Sequence, residues 1–84
     1  MHSEAVMLQR RVLSGFRLVH GNNHAFTLES EVILASMLVE QNKIDEAREI
    51  YDRLSPIVRR ILGPRHRVTG WLNEPDFLDP SRYR

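Results

Sequence analysis

The chain has 84 residues, of which 42% are hydrophobic and 27% are charged, and its formal net charge is +1. These values are typical of one small folded domain and exclude a largely disordered chain, while the near-neutral charge favours neither nucleic acid nor an acidic membrane as partner. The sequence contains no cysteine, which excludes a disulfide framework and a thiolate zinc site and predicts an intracellular, cytoplasmic protein. No run approaches the roughly 18 apolar residues that span a bilayer, so no membrane partner is expected.

Two helices are predicted in the first half of the chain. Apolar residues recur at spacings of three and four over about residues 4–19, which predicts a helix whose apolar face holds Ala5, Leu8, Val12, Phe16 and Val19. Gly21 then begins a turn, because glycine tolerates left-handed backbone angles. A second helix is predicted over about residues 27–41, and Asn42 is predicted as the left-handed residue that follows it.

A third helix is predicted over about residues 45–62. Pro56 lies inside it and predicts a kink or a break between Leu54 and Pro56, because proline removes one intrahelical hydrogen bond. We therefore divide the chain into a helical unit, residues 1–69, and an irregular tail rich in aromatic and acidic residues, 70–84. This tail is predicted either to fold back over the open end of the helices or to dock into a groove on another chain.

The sequence contains an internal repeat. A shift of 42 residues aligns identical residues in spaced blocks, and internal periods of 20 to 50 residues are typical of solenoid arrays. The aligned pairs are Glu4 with Glu46, Ala5 with Ala47, Arg11 with Arg53, Arg17 with Arg59, Gly21 with Gly63, His24 with His66 and Thr27 with Thr69.

Several motifs of this repeat resemble a known family. They are Thr27-Leu28, Leu34-Ala35, Gln41-Asn42-Lys43-Ile44-Asp45-Glu46-Ala47, Tyr51 and Leu62-Gly63-Pro64-Arg65-His66. Over roughly residues 4–69 the chain is similar to tetratricopeptide repeats (TPR) of the kinesin-light-chain type, in which antiparallel helices A and B stack into a superhelix. The resemblance implies an all-α fold of antiparallel hairpins in the order helix B, helix A, helix B, followed by the irregular tail. This amounts to about one and a half repeats.

Four residues are predicted to pack the helices together. Ala35 and Ala47 fall where two helices must approach closely, since a larger side chain would push them apart. Leu34 and Tyr51 are predicted to fill the space between these helices. We expect the second and third helices to lie antiparallel at this contact.

The resemblance implies a non-catalytic protein-interaction module that binds a peptide or a partner chain. The family often carries two adjacent asparagines on helix A that clamp a bound peptide, whereas this chain has Val32 and Ile33. An apolar groove is therefore expected, and an extended or helical peptide is the natural partner class. The residues predicted to bind the partner, on the inner face of helix A, are Glu29, Val32, Ile33, Ser36, Val39 and Glu40.

One and a half repeats leave apolar faces at both ends, so we expect a homo-oligomer or a larger complex to cover them. An alternative hypothesis is a structural subunit that stacks end to end into a filament or ring. A further alternative is nucleic-acid binding through the basic run from Arg59 to Arg67, which is otherwise a solvated helix end.

No catalytic residue, cofactor or metal ligand is assigned. The sequence lacks a glycine-rich phosphate loop and a nucleophile elbow. Asp45 and Glu46 are adjacent on a helix and so point in different directions. His24 and His66 are predicted as loop-capping residues, because the resembled family repeats such a histidine in every unit.

Overall fold

The described part of the chain is built from helices alone. The computed structural model describes the backbone of residues 2–83 and the side chains of residues 4–82. Within these limits there is no strand, and the predicted all-α class is confirmed. The elements are α1 (His2–His20), α2 (Ala25–Glu40), α3 (Ile44–Leu62), α4 (Arg67–Leu72) and a 3-10 helix (Pro80–Tyr83).

Each helix packs against the helix that follows it, and α2 lies between α1 and α3. The connections at residues 21–24 and 41–43 are short, and such connections place consecutive helices antiparallel. The helix α4 packs on α3 and also contacts α2. The 3-10 helix contacts α2 as well. Because α2 has neighbours on several sides, it supplies much of the core.

The loops before α2 and α4 share one design. Each contains a glycine with positive φ, Gly21 at 81° and Gly63 at 87°. Three residues later a histidine caps the next helix: Nδ1 of His24 accepts from the Phe26 amide at 3.1 Å, and Nδ1 of His66 accepts from the Val68 amide at 3.1 Å. The predicted capping role of both histidines is confirmed, and α2 begins at Ala25 rather than near residue 27.

Asn42 has a φ of 64°, as predicted for the residue that separates α2 from α3. Of the kink or break predicted at Pro56, the break is wrong, because α3 runs unbroken from Ile44 to Leu62. Leu54 and Val58 are buried on either side of Pro56. Tertiary packing on both sides of the proline therefore offsets the missing hydrogen bond, a cost that sequence propensity alone overestimates.

The core consists of two clusters that meet at α2. One cluster joins α1, α2 and the start of α3, and the other joins α2, α3, α4 and the tail. The first contains Val6, Leu13, Leu34, Leu38, Val39 and Ala47. The second contains Leu28, Val32, Ala35, Leu54, Val58, Val68, Leu72 and Phe77.

The tail folds back on the helices rather than extending away from them. Phe77 is buried, and its ring lies 5.5 Å from that of Tyr51 and 5.6 Å from that of Trp71. The proposed boundary at residue 69 falls inside α4, which continues to Leu72. The side chain of Tyr83, the last aromatic residue of the predicted tail, lies outside the described residues.

Candidate protein-binding surface

One face of α2 remains open to solvent. Its residues recur at spacings of three and four, so they share one side of the helix. We name this surface the α2 strip, and it consists of Phe26, Glu29, Ile33, Met37 and Glu40. Phe26 is 53% exposed, which is unusual for a large aromatic side chain on a helix whose remaining faces are buried.

The structure divides the six residues predicted to bind a partner. Glu29, Ile33 and Glu40 belong to the α2 strip. Ser36 is buried at its edge, where its hydroxyl donates to the carbonyl of Ile33 at 2.7 Å. Val32 and Val39 are both 0% exposed and belong to the core, so neither has surface for a partner in this fold.

The four residues predicted to pack the helices all lie at or beside the core. Ala35 is fully buried in the cluster that includes Leu54 of α3, and Tyr51 packs against that cluster while half-buried. Ala47 is fully buried in the other cluster together with Leu34. The two alanines therefore serve different clusters, one on each side of α2.

A shallow groove runs along the α2 strip where α2 meets α1. Its volume is about 140 Å³. Gln9 of α1 holds the groove wall by donating to the carbonyl and the hydroxyl of Ser30, both at 2.9 Å. At one end the rings of Phe16 and Phe26 lie 6.0 Å apart. The lining residues are Gln9, Val12, Phe16, Phe26, Glu29, Ser30 and Ile33.

Phe26 and Met37 were absent from the sequence-based site. Both recur with Ile33 at helical spacing, and this signal was available in the sequence. It was masked because α2 is apolar on nearly all sides, so that periodicity alone could not separate the open face from the buried ones.

Ion pairs connect the helices around the α2 strip. Glu29 of the strip pairs with Arg67 at the start of α4. On the opposite side of α2, the buried carboxylate of Glu31 pairs with Arg17 of α1 and Arg53 of α3. Glu31 thereby links three helices, beside a cavity of about 430 Å³.

The predicted basic run is partly engaged within the chain. Arg59 donates to Oδ1 of Asn73 at 3.3 Å, and Arg67 pairs with Glu29. His66 of the same run accepts a backbone hydrogen bond as the cap of α4. These contacts show how several members of the run support the C-terminal half of the fold.

The residues that the structure describes contain no group of three or more metal-ligating side chains placed to hold an ion. Among the described helices, none combines the length and the apolar character that a membrane crossing requires.

A second exposed apolar surface lies on α1. The helix packs on α2 through Val6 and Leu13, which are buried. Its exposed apolar residues, which we name the bare face of α1, are Met7, Leu8, Val12, Leu18 and Val19. Their exposures run from 46% at Val12, which also lies at the edge of the groove beside α2, to 89% at Leu18. Three of the five residues on the predicted apolar face, Leu8, Val12 and Val19, therefore face away from the core.

A family comparison supports the repeat seen in sequence and structure. Residues 33–67 match the family model for the tetratricopeptide repeat, a span that begins inside α2, contains all of α3 and ends at the first residue of α4. A search of curated proteins and a search of solved structures give no match. Such repeats are typically non-catalytic modules that bind proteins. The chain therefore contains a tetratricopeptide repeat.

Proposed function

We propose that this chain is a non-catalytic scaffold or adaptor module that binds an extended or helical peptide of a protein partner along the α2 strip. The observation that carries the proposal is the exposure of Phe26 and the partial exposure of Ile33 on the central helix, where both line the groove between α1 and α2. Repeat scaffolds present binding surfaces of this kind on their exposed helices.

The charges of the strip indicate which peptides it would favour. Glu29 is already paired with Arg67, whereas Glu40 is exposed and has no ion-pair partner among the described residues. A peptide with apolar side chains for the groove and a basic residue near Glu40 would complement the strip in shape and charge.

The resemblance to kinesin-light-chain-type repeats and the cysteine-free sequence support a cytoplasmic setting for this module. The same resemblance supports a place within a larger complex, because one and a half repeats expose apolar surface that neighbouring repeats would cover.

Selection of peptides from a random display library on the intact chain tests the proposal. The Ile33→Glu variant should bind the selected peptides at least about tenfold more weakly than the wild type, because a charge would replace the apolar floor of the groove. The matched control is Leu18→Glu, which places the same charge on the bare face of α1 and should leave the affinity unchanged. Selected peptides that bind both variants equally would contradict the proposal.

The two alternative hypotheses have tests of their own. A filament or ring would assemble with rising concentration, yet the end of the molecule at α4 is closed by Leu72 and Phe77, which are buried. Nucleic-acid binding through the basic run would weaken steeply with added salt, yet Arg59 and Arg67 already contact other parts of the chain. The structure supports the peptide-binding proposal more directly than either alternative.

A further inference from the structure

The bare face of α1 has a counterpart elsewhere in the chain. The 42-residue shift aligns α1 with α3, so that Leu8, Val12, Gly15 and Val19 correspond to Ile50, Leu54, Ile57 and Ile61. In α3, Leu54 is buried in one cluster with Leu28, Val32 and Ala35 of α2. Ile50 and Ile57 are partly buried against the same cluster, whereas Ile61 is 38% exposed. The α3 face is therefore covered around Leu54, and among the described residues the equivalent α1 face around Val12 is exposed.

The 42-residue correspondence between α1 and α3 also relates two arginines. Arg53 of α3 pairs with the buried carboxylate of Glu31 on α2. Its counterpart on α1 is Arg11, which is exposed and lines a depression of about 220 Å³ together with Glu4, Met7 and Leu8. Arg11 has no ion-pair partner among the described side chains. The bare face therefore offers both the apolar surface and the cation that α3 uses to hold α2.

Backbone approach is also possible on this face. Gly15 lies within it, and a Cβ added at Gly15 would meet no other atom within 4 Å. A glycine surrounded by open space allows a second helix to approach α1 closely, since no side chain holds the two backbones apart.

We propose that the bare face of α1 is the docking site for an amphipathic helix of another polypeptide that carries the apolar and acidic pattern of α2. This helix presents apolar side chains at the spacing of Leu28, Val32, Ala35 and Val39, and a carboxylate at the position of Glu31 that pairs with Arg11.

A second copy of this chain does not offer such a helix. Its own α2 is held between α1 and α3. Its α4 is short and lies under the tail, where Leu72 and Phe77 are buried. The inference goes beyond the proposed function, because it concerns the bare face of α1 and not the α2 strip. The ligand is also different from the peptide proposed for the strip.

A synthetic helix tests the inference directly. The probe is a labelled, acetylated and amidated peptide with the sequence of residues 24–42, carrying Leu34→Gln and Leu38→Gln to make its other side polar. Fluorescence anisotropy with the intact chain should show saturable binding. A matched peptide with the additional change Val32→Asp should bind at least about tenfold more weakly, because a charge at the centre of the contact is desolvated.

Variants of the protein locate the contact. Leu8→Glu and Val19→Glu should each lower the affinity for the probe at least about tenfold, whereas Ile33→Glu on the α2 strip should leave it unchanged. Circular dichroism checks that each variant keeps its helices, which is expected because Leu8 and Val19 are exposed.

A double-mutant cycle tests the charged pair. Arg11→Gln in the protein and Glu31→Gln in the probe should each weaken binding, and the combination should weaken it by less than the product of the two factors, because both changes remove one interaction. Absence of saturable binding, or equal binding to wild type and Leu8→Glu, would overturn the proposal. So would a dimer by light scattering that Leu8→Glu dissociates, since a second copy would then occupy the face.

Discussion

The two ends of this molecule are built from the same 42-residue repeat and yet finish differently. At the C-terminal end, α4 and the tail lie over α3, and Leu72 and Phe77 are buried. At the N-terminal end, α1 exposes Leu18 and Val19 at 89% and 74%. Val12 of α1 is 46% exposed, whereas its counterpart in the repeat, Leu54 of α3, is 1% exposed, so the same repeat position is surface in one helix and core in the other. The repeat determines which helix faces are apolar, and the neighbouring elements determine which of these faces are covered.

The largest expected effect contrasts two adjacent residues of α2. Val32→Asp buries an unpaired carboxylate in the core and should cost more than about 4 kcal/mol in the free energy of unfolding. Ile33→Asp places the same charge on the exposed strip and should cost about 1 kcal/mol or less. Chemical denaturation monitored by circular dichroism measures both. Similar costs would show that the open and covered faces of α2 are assigned incorrectly.

Shortening one side chain at each end of the molecule compares the C-terminal end, which the tail covers, with the exposed surface of α1. Phe77→Ala removes a buried ring from the contact with Tyr51 and Trp71 and should cost about 3–5 kcal/mol. Leu18→Ala shortens an exposed side chain and should change stability by about 0.5 kcal/mol or less. Urea unfolding curves give the two values. A small cost at Phe77 would contradict the closure of the C-terminal end by the tail.

Glu31 connects the two halves through Arg17 and Arg53. Glu31→Ala should cost about 1–2 kcal/mol, below the value for a fully buried ion pair, because both guanidinium groups are about half-exposed and can be hydrated. The cost should shrink as salt is added, since screening weakens the native interaction. Denaturation at low and high ionic strength measures it. A cost that is insensitive to salt would assign the role of Glu31 to packing.

The two histidine caps test whether the halves are equivalent locally. His24→Ala and His66→Ala each remove one side-chain acceptor from a helix N-terminus and should each cost about 0.5–1.5 kcal/mol. Thermal unfolding of the two variants provides the comparison. Equal costs would show that the loop design is energetically repeated, whereas a negligible cost at either position would contradict the capping role.

The smallest expected effect concerns the repeated threonines, Thr27 and Thr69. Both hydroxyl groups are buried and have no hydrogen-bond partner among the described residues, so replacement by valine keeps the shape and removes a desolvated polar group. Thr27→Val and Thr69→Val should each be neutral or stabilising by up to about 1 kcal/mol. Denaturant midpoints measure the change. Clear destabilisation by either variant would show that the hydroxyl contributes to the fold.

Some features of the site were predictable because they depend on local chemistry. The left-handed Asn42 follows from residue type and position, and the two capping histidines were predicted from the family resemblance. Of the six residues predicted to bind a partner, Val32 and Val39 are buried, and the sequence could not separate them from the partly exposed Ile33 because all three are similarly apolar. The break at Pro56 was wrong, because packing of Leu54 and Val58 outweighs the local penalty of proline.

The sequence alone determined the three long helices and their order, because helical periodicity and the chemistry of helix ends act over a few residues, and it revealed the repeat that relates them. It did not predict α4 or the 3-10 helix, which lie at or within the segment expected to be irregular. Only the tertiary structure decided which apolar residues are buried. In α1 the predicted face contains Leu8 and Val19, but the buried residues are Val6 and Leu13. A helix with apolar residues on both sides can bury either, and the choice depends on which neighbour lies against it.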